Sequence, residues 1–230
     1  MKNKMKAIIA GFSLDTLPIF SRFKEERIET EKGKAIVFVK NDWVFLPRHG
    51  PDKTISPHMI NHAANILSLK ELGVEACFSI NSTGSLKLAI SPQDFLVPCD
   101  YFCLWPKTFY DDRITHIVPE LNRGLRKIII DVARKAGLNP IDGGIYVQTR
   151  GPRLETKAEI KFLQGVGDVV GMTMANEATI SQELDIPYAS LCSIDNYCNG
   201  IIEKPLTLEE MKANSSQKIE KLKAFLIKLL

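Results

Sequence analysis

The sequence predicts an α/β fold organised as one domain over residues 1–230. Three observations carry this. Short apolar runs of strand type alternate with amphipathic stretches at helical spacing. Glycines and prolines stand at the junctions between them, as in Gly73, Gly137 and Gly151-Pro152. The chain of 230 residues, 45% hydrophobic and 25% charged, suits one sizeable core and shows no repeat, linker or low-complexity segment.

Residues 6–10 read as a buried first strand, with a small-residue turn at Gly11. That single glycine lacks the spacing of a dinucleotide fingerprint. Residues 35–39 and 42–46 form a hairpin-like pair around Lys40-Asn41. Ser56-Pro57-His58 is the predicted cap of a helix over 59–72 that stops at Gly73. A core strand at 76–80 is expected to end at Asn81-Ser82-Thr83-Gly84-Ser85, and 92–98 is a further short strand. Residues 105–115 look irregular, and 121–136 form a helix closed by Gly137. The strand at 144–147 leads through Gly151-Pro152 into a helix starting near Thr156, with Ala158, Ile160, Phe162 and Leu163 at helical spacing. A strand at 168–170 ends in Gly171-Met172-Thr173, and a helix runs from after Glu177 through Leu184. A buried strand at 188–194 opens onto Asp195-Asn196, and one terminal helix spans 208–230.

Composition excludes several classes. The net charge is only +3 and the basic residues are interspersed with acids, so no stripe exists for a nucleic-acid backbone. No apolar run has the length of a membrane span, and no signal peptide is evident. Five scattered cysteines, with Cys77 and Cys192 inside apolar runs, predict reduced thiols in a cytoplasmic protein. Cys99 and Cys103 lack further ligands beyond His116, and His58 with His62 lacks a metal-binding pattern, so no metal is expected.

Polar residues cluster where predicted strands end, the usual place for ligands in open α/β sheets. Arg48 and His49 lie between Pro47 and Gly50 as a compact cationic anchor, since the guanidinium fork suits phosphate. Ser82 and Thr173 add hydroxyl donors for an oxyanion. Glu155 and Asn196 pair an acceptor with an amide, which fits the edge of a heterocycle. An anion pocket beside a base pocket suits phosphorolysis, in which phosphate attacks a sugar carbon and the leaving base carries developing negative charge.

The segments PRHG (47–50), PHMINHAANI (57–66), LKELGVEACFSINSTGSL (69–86), GPRLET (151–156) and VVGMTMANEA (169–178) resemble the trimeric purine nucleoside phosphorylase and methylthioadenosine phosphorylase family. The resemblance implies a twisted mixed central β-sheet flanked by helices. It implies a homo-oligomer, trimer or hexamer as a dimer of trimers, and phosphate as co-substrate with no cofactor. By position it assigns phosphate contacts to Arg48, His49, Ser82 and Thr173 and nucleoside contacts to Asn81, Leu154, Glu155 and Met172. Asn196, Glu155 and His49 are the implied catalytic residues, and His116 would approach the 5′ substituent from a neighbouring subunit. Counting without gaps from Tyr188 puts Asn196 where 6-oxopurine enzymes carry Asn, whereas a slip of one would put Asp195 there and favour 6-aminopurines. The first loop departs from the pattern: Phe12 replaces a hydroxyl that grips phosphate, leaving Ser13 as its substitute. The implied activity is cleavage of a purine nucleoside, 6-oxopurine preferred, to free base and ribose 1-phosphate. The alternatives are phosphorolysis of 5′-methylthioadenosine or 5′-methylthioinosine, or a non-catalytic binding protein on the same fold.

Overall fold

The computed structural model describes residues 4–11, 14 and 17–230; Phe12 and Ser13 lie outside the described residues. In chain order the strands and helices are β1 (Met5–Ala10), β2 (Lys24–Thr30), β3 (Gly33–Lys40), β4 (Trp43–Pro47), α1 (His62–Glu71), β5 (Val74–Ser85), β6 (Phe95–Val97) and β7 (Asp100–Cys103). They continue as α2 (Arg123–Lys135), β8 (Ile141–Asp142), β9 (Ile145–Gln148), α3 (Lys157–Leu163), β10 (Val169–Gly171), α4 (Met174–Glu183), β11 (Tyr188–Tyr197), α5 (Leu208–Gln217) and α6 (Ile219–Leu229). The strands form one mixed sheet with a main path β2-β3-β4-β1-β5-β10-β9-β7, while β11 pairs with β5 and β6, and β6 with β8.

Both faces of this sheet are covered. Along β1, Ala7 and Ile9 join one apolar cluster with Ile66 of α1 and Met174 of α4. Ile8 and Ala10, which alternate with them, join a second cluster with Ile129 of α2 and Leu226 of α6. This period-two alternation between two helix-covered faces is why β1 reads as a continuous apolar run. A third, smaller cluster packs Val147, Val170, Ile160 and Leu163 where α3 covers β9 and β10.

Several boundaries depart from expectation, each for a physical reason. Strand β2, KEERIET, is rich in charge because it is the sheet's edge and half solvated. The helix expected at 59–72 starts at His62; its cap is Asn61, whose side chain accepts from the Ala64 amide, and residues 57–59 form a separate short 3-10 turn. Helix α3 has the full capping box, Thr156 with Glu159. Helix α4 begins four residues earlier than predicted, so Glu177 falls in its buried first turn. The expected terminal helix is two helices that meet at Lys218, a fully buried lysine.

The largest departure concerns β5. The polar run 81–85 does not follow the strand but continues it, hydrogen-bonded along one edge to β11 from Cys77 to Ser85. On the opposite edge β1 pairs only as far as Ile80, and antiparallel β10 takes over at Gly84. Residues 81–83 therefore stand at a fork in the sheet, paired on one side and open on the other. Strand β11 likewise runs through Asp195 and Asn196 to Tyr197, with a bulge between Ile194 and Asn196.

Candidate active site

The fork opens into a cavity of about 880 Å³. Arg48 and His49, at the end of β4, line it together with Thr173, the residue preceding α4. Leu154, Glu155 and Met172 line it from the β9–α3 connection and the β10–α4 turn. Ser82 and Asn196 come from the paired strands β5 and β11. Residues more than a hundred positions apart thus share one hollow.

Arg48 is buried and held by the protein itself. Its Nε donates to Glu177 Oε1 at 2.6 Å and its Nη2 to Ser79 Oγ at 2.7 Å. Nη1 donates to the Ile80 carbonyl at 2.9 Å. A guanidinium has five donors, and among the described residues one N–H on Nη1 remains unengaged. Gly11 lies over this end: a methyl group there would sit 3.2 Å from Nη1 and 3.2 Å from the His49 ring. Burial pushes the Glu177 carboxyl up, but the Arg48 charge and hydrogen bonds from Arg48 and Tyr188 hold it below the usual carboxylate range. The pair is a fixed salt bridge that aims the remaining donor.

His49 Nδ1 lies 2.7 Å from the Ile55 carbonyl, which can only accept, so that nitrogen carries the proton. Thr173 is set from two sides. Its amide donates to the Tyr146 hydroxyl at 3.2 Å, and its Oγ1 accepts from Asn81 Nδ2 at 3.0 Å. Because Oγ1 accepts from Asn81, the Thr173 hydroxyl proton is available to an anion. Asn81 is 1% exposed and stands behind the lining. Its Oδ1 accepts from Ser190 Oγ at 2.6 Å and faces Ser79 Oγ at 2.8 Å. It supports Thr173 from outside the lining, where a nucleoside contact was expected of it.

Ser82 also differs from expectation. Its hydroxyl donates to Asp195 Oδ2, so its one proton is committed and it offers an anion only lone pairs. Asp195 and Asn196 both line the cavity. In a regular strand two successive side chains face opposite sides; the bulge at this point re-aims them. Asn196 Nδ2 donates one N–H to the Tyr197 carbonyl at 2.9 Å, and among the described residues its second N–H and its carbonyl oxygen have no hydrogen-bond partner. Gly84 makes room for it: a methyl group there would lie 3.0 Å from Asn196 Nδ2 and 2.7 Å from Cys198 Sγ. Glu155 is buried and accepts from Thr149 Oγ1 at 2.6 Å through Oε1.

His116 is exposed and apart from the cavity lining of this chain. Lys53, Cys198 and Asn199 line the cavity without having been expected there. So do Leu206, Leu208 and Met211 around the start of α5, whose apolar residues read in sequence only as helix packing. No local pattern marks residues that meet through such long-range contacts.

A mixed sheet covered by helices, with buried cationic and hydroxyl groups and an amide–carboxylate pair in one hollow, defines a small-molecule transferase of the nucleoside-phosphorylase fold. The family model of the phosphorylase superfamily matches residues 5–230, and the chain belongs to that superfamily. It is 40% identical over 213 residues to a probable 6-oxopurine nucleoside phosphorylase of Archaeoglobus fulgidus, covering 90% of this chain and 88% of the relative. It is 43% identical over 219 residues to a probable S-methyl-5′-thioinosine phosphorylase of Methanocaldococcus jannaschii, covering 90% and 84%. Among solved structures, a methylthioadenosine phosphorylase from an antarctic soil metagenomic library superposes with a TM-score of 0.87 at 25% identity, over 100% of this chain and 86% of that one.

The Arg48–Glu177 pair makes a prediction about stability. Removing one partner of a buried ion pair leaves the other uncompensated, so Glu177→Ala is expected to destabilise by about 3–5 kcal/mol. A folded-state value below the unfolded one gives stability that is present above the unfolded carboxylate range, about pH 4.3, and is lost as pH falls through the lowered value. Urea unfolding followed from neutral to acid pH should show that loss in the parent and a smaller one in Glu177→Gln.

Proposed function

We propose that this protein is a purine nucleoside phosphorylase, cleaving a 6-oxopurine nucleoside with phosphate to free base and ribose 1-phosphate. The observation that carries the reading is the shared cavity, in which Arg48, His49 and Thr173 stand together with Glu155 and Asn196. The names of the Archaeoglobus and Methanocaldococcus relatives both point to 6-oxopurine substrates.

In this reading phosphate is held by the remaining Arg48 donor, by His49 and by the Thr173 hydroxyl. It attacks the sugar C1′ as the C1′–N9 bond breaks and the bonding electrons pass to the purine. The anion stabilises the cationic sugar and then captures it. A 6-oxopurine carries a hydrogen on N1, which suits the carboxylate of Glu155; a 6-aminopurine presents a lone pair there. The second N–H of Asn196 meets charge that builds on the purine, a preorganised donor that needs no reorganisation during the reaction. In this reading phosphate is the co-substrate, and no cofactor or metal takes part. Five free thiols and the polar, water-soluble nature of both substrates support a cytoplasmic location.

A second reading, phosphorolysis of the 5′-methylthio nucleoside, is favoured by Leu206, Leu208 and Met211, which give the cavity an apolar wall. Incubation with phosphate and, in turn, inosine, guanosine, adenosine, 5′-methylthioinosine and 5′-methylthioadenosine decides between the two. Base release from inosine supports the first, exclusive release from the methylthio compound the second. Thermal stabilisation by ligand with no base released would mean a binding protein. In an active parent, Asn196→Ala is expected to lower kcat about a hundredfold, and parental turnover in that variant would remove Asn196 from the mechanism.

The protein also acts as a homo-oligomer in this reading, a trimer or a dimer of trimers. Trp105, Ile114 and Val118 are 84%, 87% and 85% exposed on one irregular segment, which also carries His116. Large apolar residues at that exposure suit burial against a second copy, which would bring His116 toward a neighbouring cavity. Light scattering should give a mass of several chains, falling toward one chain in Trp105→Glu combined with Val118→Glu.

A further inference from the structure

Lys218 is fully buried at the junction of α5 and α6 and contributes nothing to the cavity lining. Its ammonium nevertheless reaches a cavity residue from behind. Nζ lies 2.6 Å from Asp195 Oδ1, donates to the Pro92 carbonyl at 3.0 Å, and donates to the carbonyl of Ile194. Its three hydrogens are therefore all placed. Asp195 meets two further donors, Ser193 Oγ on Oδ1 at 2.8 Å and Ser82 Oγ on Oδ2. Asn214 of α5 donates to the Asp195 carbonyl at 3.0 Å, tying the same residue to the cavity wall. Three donors, one of them a cation, converge on two carboxylate oxygens, so both oxygens of Asp195 are engaged as acceptors.

This matters because Asp195 and Asn196 stand side by side in the cavity. A purine leaves C1′ either as an anion, which the 6-oxo group delocalises, or as a neutral base after receiving a proton on the ring. A 6-aminopurine spreads that charge less well and depends more on the proton. We propose that Lys218 is a specificity-determining residue: by holding Asp195 as a hydrogen-bonded carboxylate it keeps a proton donor out of the cavity and leaves the leaving purine to the Asn196 amide. The inference rests on the phosphorolysis reading and deepens it. Without the lysine, the remaining side-chain partners of Asp195 are the Ser82 and Ser193 hydroxyls, which can accept as well as donate, so its carboxyl can carry a proton into the cavity. That proton would pass to the purine ring as the C1′–N9 electrons move onto the base and a phosphate oxygen bonds to C1′, leaving Asp195 ionised until it is reprotonated from solvent.

The test compares kcat/KM for adenosine and inosine in the parent, in Lys218→Met and Lys218→Gln, and in Asp195→Asn combined with Lys218→Gln. Lys218→Gln keeps an amide that can reach the Pro92 and Ile194 carbonyls, which protects the fold. General acid catalysis is typically worth a hundredfold or more, so the adenosine-to-inosine ratio is expected to rise at least about tenfold in the single variants. It should stay at the parental value in the double variant, where an amide in place of the Asp195 carboxyl has no acidic proton to transfer. An unchanged ratio in a folded Lys218→Gln protein overturns the proposal, and so does an equal rise in the double variant, which would reflect loosening alone. A parent that releases base from no nucleoside refutes the phosphorolysis reading instead, and that result is read from the parent by itself.

Discussion

The buried ion pair between Arg48 and Glu177 is the constraint on which the site is built. It joins the end of β4 to the first turn of α4, two elements separated by 129 positions in the chain. Two charges removed from water are costly unless their geometry is close and their other donors and acceptors are met. Here Ser79, Tyr188 and the Ile80 carbonyl meet them. The arginine is thereby fixed in direction by the protein's own groups, with the ordering cost of its side chain already met. Thr173 is positioned by the same part of the fold, through Asn81 and Tyr146.

A second buried pair, Asp195 with Lys218, holds another residue of the cavity lining. The two pairs differ in what they expose. In the first, the cation keeps a donor toward the hollow and the carboxylate is hidden. In the second, the residue that carries the carboxylate lines the hollow and the cation is hidden. The two pairs thus present groups of opposite sign to one cavity, in a chain whose net charge is only +3. The lysine also accounts for the break between α5 and α6, since its side chain turns inward to three acceptors at that point.

Much of this was legible in the residues. Apolar periodicity located β1, β4, α2 and β9 because each buries a stripe or a face against the sheet. The resemblance in the PRHG, GPRLET and VVGMTMANEA segments brought Arg48, Glu155, Met172 and Thr173 forward, and all four line the cavity. The edge strand β2 escaped because solvated edge strands carry charge, and the polar end of β5 has the composition of a loop. A run such as Asn-Ser-Thr-Gly-Ser looks like a turn until neighbouring strands satisfy its backbone on one side and leave it open on the other.

The sequence by itself determined the fold class, the family and the kinds of group available to an anion and a purine, because apolar spacing and local motifs are properties of short stretches. Tertiary structure alone decided which of those groups face the ligand. Ser82 gives its proton to Asp195, Asn81 stands behind Thr173, and Asp195 and Asn196 share the cavity through a bulge. A polar side chain becomes a donor, an acceptor or a prop according to the partners that distant strands and helices bring to it, and a linear pattern does not contain that information.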